Sequence, residues 1–269
     1  MPATGRGGER GPLLYCAAIR QRGYAITSVA AANSLDPEAS AALAARWQAV
    51  QARLRGAEQR FHRPPGSVGL VAASKAQPVP CIRALAALGQ RAFGENYLQE
   101  ACRKMDACAD LAVEWHFIGA LQANKAAEVA RRFDWVHTVA SARCAERLAR
   151  ARPAQRGPLN VCIQVNVDGD PRKAGIAPTA AADLAAQVAA LAPLRLRGLM
   201  TIPAPAADFE AQRRPFQALR ELLDALKDQG FTLDTLSMGM SGDLEAAVAE
   251  GATLVRIGSA LFGPRPARQ

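Results

Sequence analysis

Lys75 closes the uncharged run Val68–Ser74 and is one of only five lysines in a chain with 28 arginines. A lysine at the end of an apolar strand can extend its ammonium into solvent. Where burial and a nearby cation lower its pKa, it instead offers a neutral amine able to condense with an aldehyde. Two further stretches carry the groups of an anion cradle: Ser237–Asp243, reading Ser-Met-Gly-Met-Ser-Gly-Asp, and Arg256–Gly263, reading Arg-Ile-Gly-Ser-Ala-Leu-Phe-Gly. Glycine lets backbone N–H groups approach a phosphate and serine adds a hydroxyl donor, although both are also ordinary turn residues. The cysteines (Cys16, Cys81, Cys102, Cys108, Cys144 and Cys162) include no Cys-x-x-Cys pair, and no His-Glu-x-x-His or carboxylate cluster occurs. Neither a disulfide framework nor a metal site is expected; reduced thiols fit a cytoplasmic protein.

For these groups to meet, the chain must bring distant segments together. Asp36 as N-cap and Pro37 at the first helical position start an amphipathic helix through Leu43, Trp47, Val50, Leu54 and Phe61. After the Arg-Pro-Pro-Gly break at 63–66 come eight apolar runs: Val68–Ser74, Arg91–Asn96, Val113–Gly119, Trp135–Ser141, Asn160–Asp168, Leu194–Ile202, Thr232–Met240 and Leu254–Phe262. Helical stretches such as Pro80–Leu88, Asn124–Phe133 and Asp208–Lys227 separate them. This alternation predicts βα units and a parallel sheet, closing as a single (β/α)8 TIM-type barrel over residues 36–264. A doubly wound open sheet is the alternative, but no strand is followed by Gly-x-Gly-x-x-Gly or a Walker loop. Barrels carry their functional groups at the carboxyl ends of strands, which singles out Lys75, Asn96, His116, Ser141, Asn166, Met200, the 237–241 stretch and Arg256–Ser259. Strands seven and eight are where barrels commonly build a phosphate site.

Of the 269 residues half are hydrophobic, yet no apolar run approaches the roughly 18 to 20 residues of a membrane span. The formal charge of +9 suits nucleic acid, an anionic surface or a phosphorylated small molecule. Aromatics are only 5% and the arginines are spread along helices, which leaves no stacking platform, so neither nucleic acid nor membrane is expected as a partner. The helices show no unusually apolar outer face, and a monomer is expected. Residues 1–35 are Gly- and Arg-rich with one acid, Glu9, and read as a disordered leader or a misassigned start rather than a targeting peptide; 265–269 read as a tail.

A lysine after strand one together with a phosphate site after strands seven and eight suggests pyridoxal 5′-phosphate, an aldehyde that carries a phosphate. Six blocks strengthen this: Val71–Lys75, Phe93–Tyr97, Glu114–Lys125, Leu196–Pro203, Leu236–Ser241 and Val255–Gly263. In matching order over about residues 40–264, they closely resemble the pyridoxal phosphate homeostasis protein family. The resemblance implies a barrel similar to the N-terminal domain of alanine racemase, with the cofactor held as a Schiff base on Lys75. It further implies Ser241, Gly258 and Ser259 at the phosphate, Arg256 facing the pyridine nitrogen, and Asn96, His116 and Met200 lining the ring. Members are thought to control free pyridoxal phosphate and vitamin B6 supply without established turnover, with pyridoxal phosphate-dependent apoenzymes as partners. Ala76, Gln77, Ala123 and Gly242 depart from the family pattern.

Arginine is always protonated and only donates, so it keeps a pyridine nitrogen unprotonated and the ring a weak electron sink. The alternative is a racemase-like enzyme, which needs a second acid/base that racemases take from a tyrosine of a separate C-terminal domain. The tyrosines here are Tyr15, Tyr24 and Tyr97, so a carrier is the stronger expectation. Bland readings stand beside the sharp ones: His116 as a core residue between Trp115 and Phe117, and Asn96 as the cap of a helix starting at Tyr97. His62 and His137 are expected to be structural, Lys125 and Lys173 solvent-facing, and Arg152, Arg156 and Arg172 surface charge.

Overall fold

Asp36 caps helix α1 (Pro37–Arg60) by accepting the Ala39 N–H at 2.7 Å, with Pro37 in the first turn. Leu43, Val50, Leu54 and Ala57 form its buried face. At its far end Glu58, 1% exposed, accepts from the backbone N–H groups of Gly66 and Val68 and from Arg55, which fastens the Arg-Pro-Pro-Gly turn to the helix. The computed structural model describes residues 34–263. Apart from Ser34 and Leu35, the leader expected over 1–35 lies outside the described residues, as does the tail at 265–269.

Eight βα steps follow. They run β1 (Gly69–Ala73), α2 (Val79–Ala87), β2 (Ala92–Glu95), α3 (Leu98–Ala107), β3 (Glu114–Phe117), α4 (Ala126–Arg132), β4 (Trp135–Val139) and α5 (Ala142–Ala151). The second half comprises β5 (Leu159–Gln164), α6 (Ala181–Ala189), β6 (Leu194–Met200), α7 (Phe209–Asp228), β7 (Thr235–Ser237), α8 (Leu244–Ala249), β8 (Leu254–Ile257) and α9 (Ser259–Phe262). Each strand pairs in parallel with the next, and β8 returns to β1 with Val71 opposite Arg256, so the sheet is a closed barrel as the eight apolar runs predict. Leu70, Ala72, Phe93, Phe117 and Val136 face outward into one core shared with the helices. Inside the barrel the filling is different: Trp135, Cys162 and Met200 pack as a separate cluster, and His137 on β4 meets Ser237 on the non-adjacent β7 across the interior. Apolar runs were expected because both faces of a parallel strand are covered, but one of those faces is partly polar.

Every run extends past the end of its strand, and in the last two the backbone shows why. The eighth run, Leu254–Phe262, is strand only to Ile257; beyond Gly258 the chain turns into α9, with the Phe262 N–H on the Gly258 carbonyl. The seventh is strand only over Thr235–Ser237, because Gly239, at φ +92°, turns the chain away. Arg152 corrects another expectation: it is 9% exposed rather than surface charge. Its guanidinium donates to the carbonyls of Ala130, Phe133, Arg156 and Gly157, tying the end of α4 to the 153–157 turn. Among the described residues no helix is long and apolar enough to cross a membrane, and Cys81, Cys102, Cys108, Cys144 and Cys162 are free thiols.

A register shift between β5 and β6 sets Cys162 opposite Gly198. There the β6 and β7 backbones come so close that a Cβ on Gly198 would stand 1.8 Å from the Thr235 carbonyl oxygen. Gly198→Ala should therefore lower stability by about 3 kcal/mol, seen as a reduced urea midpoint with an unchanged slope.

Candidate functional site

The carboxyl ends of the strands surround a cavity of about 320 Å³. Lys75, in the turn after β1, and Asn96, after β2, form one side. Ser241 in the β7–α8 loop, Arg256 on β8, and Gly258 and Ser259 at the start of α9 form the other. Six of the eight residues expected at a site therefore line one space. Ile118, Ile202 and Met240 complete its apolar wall, and among the described residues no carboxylate contributes to it. Barrel closure explains the meeting, since β8 lies beside β1 although nearly the whole chain separates them.

His116 and Met200, expected to line the ring, do not line this cavity. His116 is 1% exposed and Met200 fully buried. Both project into the barrel interior, His116 onto His137 at 2.9 Å and Met200 against Trp135 and Cys162. Ser141 accepts the Cys144 N–H as the cap of α5, and the Asn166 amide donates to the Asp170 carbonyl. Lys173, expected in solvent, is partly buried and ion-paired with Asp168. It borders a second cavity of about 250 Å³ that shares Asn96, Ile118 and Ile202 with the first.

Asn96 is not a helix cap. The residue flanking α3 is Tyr97, with no side-chain cap bond. The Asn96 Oδ1 is buried without a hydrogen-bond partner, an arrangement that normally marks a place reserved for one. Across the cavity the Ser241 and Ser259 hydroxyl oxygens stand 3.2 Å apart, and the Ala260 N–H donates to Ser241 Oγ. From behind, Arg53 of α1 donates to the Ser241 carbonyl at 2.7 Å and pairs with Glu245, which holds the loop against the barrel. Arg256 donates from Nη1 to Ser237 Oγ at 2.7 Å and from Nη2 to the Thr201 carbonyl at 2.8 Å. Burial pulls its pKa down to about 10, which still leaves it cationic at neutral pH.

One group of residues escaped the sequence reading. Lys104 on α3 is 5% exposed and donates to the Ser74 carbonyl at 2.6 Å, to Glu95 Oε1 at 2.7 Å and to Glu100 Oε1 at 2.6 Å. Ser74 Oγ donates to Glu95, and the Ala76 N–H donates to Glu100. Lys75 therefore sits between two residues pinned by the same cluster, and Ala76 is held at φ +59°, a conformation that non-glycine residues seldom adopt. Burial pushes the Glu95 carboxyl upward, against the opposing pull of Lys104. The Glu100–Lys104 spacing on one helix face was the available sequence signal, but that pattern usually marks a solvated pair.

Residues 40–266 match the family model described as alanine racemase, N-terminal domain. The pyridoxal phosphate homeostasis protein of Pseudomonas aeruginosa is 54% identical over 216 residues, covering 80% of this chain and 93% of the relative. The chain belongs to the pyridoxal phosphate homeostasis protein family. Among solved structures, PipY of Synechococcus elongatus with pyridoxal phosphate bound is 40% identical, with a TM-score of 0.69 over 78% of this chain and 98% of that one. An alanine racemase from Clostridium difficile shares the fold at 14% identity, with a TM-score of 0.64 over 81% of this chain and 57% of that one.

In this family member, the turn that presents Lys75 rests on a buried ion cluster. Removing one partner leaves a charge uncompensated, whereas removing both can be nearly neutral. Lys104→Met should lower stability by about 3 kcal/mol, and the double variant Lys104→Met/Glu95→Leu should recover part of the loss in the same denaturant titration. The two interior histidines set a pH dependence. Burial holds His116 below its ordinary value and His137 well below it, so both rings are neutral in the fold and protonate more readily once unfolded. Their contribution is complete above about pH 6.5 and is lost as the pH falls below it, at up to about 1.4 kcal/mol per pH unit for each ring until that ring's lowered folded-state pKa is passed. Urea midpoints measured from about pH 7.5 down to 5 should fall accordingly, and His137→Gln should remove one ring's share of the slope.

Proposed function

We propose that this chain binds pyridoxal 5′-phosphate and holds it reversibly as a Schiff base on Lys75. It acts as a monomeric cytoplasmic carrier that buffers the free cofactor and passes it to pyridoxal phosphate-dependent apoenzymes. The observation that carries this reading is the gathering of one lysine, one buried arginine and a facing pair of serine hydroxyls in a cavity whose described lining holds no carboxylate. Such a lining suits an anion at one end and a carbonyl at the other. The relatives' name and the pyridoxal phosphate-bound PipY structure support the same ligand.

When bound, the cofactor supplies an aldehyde that condenses with an amine and releases water. Lys75 is the amine. Ser241 and Ser259 offer hydroxyl donors to the phosphate, while Gly258 keeps the wall beside them free of a side chain. Arg256 donates to the ring nitrogen and keeps it unprotonated, which makes the ring a weak electron sink and favours holding over turnover. Asn96 Oδ1 supplies an acceptor along the ring edge. Met200 and His116 serve from beneath, as packing and as part of the interior that supports Arg256. The monomer is supported by the surface: among the described residues the exposed large apolar side chains are Leu88, Tyr97, Ile202 and Met240, of which Ile202 and Met240 line the cavity and Tyr97 flanks the start of α3, so they form no apolar outer helix face.

The purified protein should show a visible absorption band that borohydride bleaches, with the reduced cofactor recovered by mass on the peptide containing Lys75. Lys75→Ala should fold and lack the band. A band that survives in Lys75→Ala would remove the lysine from its role. Incubated with L-alanine in deuterated water, the carrier should not sustain exchange at the α-carbon; sustained exchange would make it an enzyme.

A further inference from the structure

Below the cavity, a line of buried polar side chains crosses the barrel. Arg256 Nη1 lies 2.7 Å from Ser237 Oγ, Ser237 Oγ 2.7 Å from His137 Nδ1, and His137 Nε2 2.9 Å from His116 Nδ1. Among the described residues His116 Nε2 has no hydrogen-bond partner; the carboxylate of Glu114, the first residue of β3 at the opposite mouth, stands 3.6 Å away, beyond hydrogen-bond distance. Ser237 and His137 are fully buried, and His116 and Arg256 nearly so; Glu114 reaches solvent.

The Arg256 end of this line selects the hydrogen-bond direction, and the charge of Glu114 near the other end favours the same one. Arg256 can only donate, so Ser237 Oγ must accept from it. The Ser237 hydroxyl proton then has His137 Nδ1 to go to, which requires that nitrogen to be bare and Nε2 to carry the proton. His137 Nε2–H donates to His116 Nδ1, and the His116 Nε2–H is left pointing toward Glu114. In the reverse direction the buried Ser237 hydroxyl would lack its acceptor and a bare His116 nitrogen would face a carboxylate, and both are unfavourable. Glu114 and Asp134 bear on His116 and would favour its protonation, while Trp135 stacks on its ring at 5.5 Å. His137 faces His116 and the Arg256 cation, which oppose its protonation. Near Trp135 the remaining charge is Arg197, whose guanidinium lies over the indole and pairs with Asp234.

We infer that Ser237, His137 and His116 are positioning residues: a one-way relay that fixes the Arg256 guanidinium so that its remaining N–H groups face the cavity. The inference deepens the proposed function, since it assigns the setting of the donor that meets the pyridine nitrogen. A planar guanidinium held at Nη1 by Ser237 and at Nη2 by Thr201 has little freedom left to rotate.

Two measurements test it. Long-range 1H–15N spectra of the labelled wild-type chain at neutral pH should show both buried rings neutral, with Nε2 protonated and Nδ1 bare. A cationic ring, or a proton on Nδ1 of His137, would overturn the relay. That experiment does not depend on bound pyridoxal phosphate: the expected tautomers in a protein that never forms the visible band would sink the proposed function and leave the relay standing. Second, His137→Phe keeps an aromatic ring but can neither accept nor donate, and His137→Gln can do both. His137→Phe should weaken pyridoxal phosphate binding about tenfold and move the pH midpoint of the visible band, while His137→Gln stays within about threefold of the wild type. Should His137→Phe not fold, Ser237→Ala, which deletes one oxygen, should give the same loss. Wild-type affinity and band midpoint in a folded His137→Phe or Ser237→Ala variant would refute the assignment.

Discussion

An arginine buried in the interior of a barrel governs much of what surrounds it. A guanidinium cannot shed its charge at neutral pH and cannot accept a hydrogen bond, so every neighbour must offer a lone pair. Arg256 finds one in a serine hydroxyl and another in a backbone carbonyl. Among the described residues no carboxylate lines the cavity beside it, which leaves a buried cation set to attract an anion or an acceptor from outside. The polar filling of the barrel follows from the same demand. Two histidines stay neutral there: burial opposes the charging of both, and for His137 the neighbouring His116 and the Arg256 cation add to it.

On the other wall, the lysine is set by a different device. A second buried cation, Lys104, is fully engaged by Glu95, Glu100 and a carbonyl, and the cluster clamps the turn on both sides of Lys75. The two cations have opposite tasks. Lys104 is neutralised locally and stabilises backbone, whereas Arg256 makes no ion pair among the described residues, feels Asp243 only at a distance, and keeps donors for the cavity. A buried pair contributes little net stability but strongly resists the loss of either member, which suits a turn that must keep one shape.

Closure of the sheet links the two walls. The β1 and β8 ladder aligns Val71 with Arg256 and brings the Ser241–Ser259 corner opposite the Lys75 turn. α1 reinforces this join from outside through Arg53 on the Ser241 carbonyl and Arg46 on the Leu261 carbonyl. A helix that precedes the first strand in sequence thus braces loops that come last.

The periodicity of apolar runs, the Asp36–Pro37 start and the punctuation by glycine and proline determined the element order, because each is a local property that a short window of residues carries. The motifs at strand ends also marked Lys75, Asn96, Ser241, Arg256, Gly258 and Ser259, since a barrel collects its strand ends at one mouth whatever the loops contain. Which side chains point inward and which reach the cavity was decided only by the tertiary structure. His116 and Met200 carry the same strand-end signature as the others, yet lie beneath the cavity. Arg152 looked like surface charge and is buried among carbonyls; Lys104 looked like one half of a solvated helix pair and is buried under the lysine turn. Burial, and with it the sign and strength of every electrostatic interaction, depends on what distant segments bring to a residue, and no local stretch of sequence contains that information.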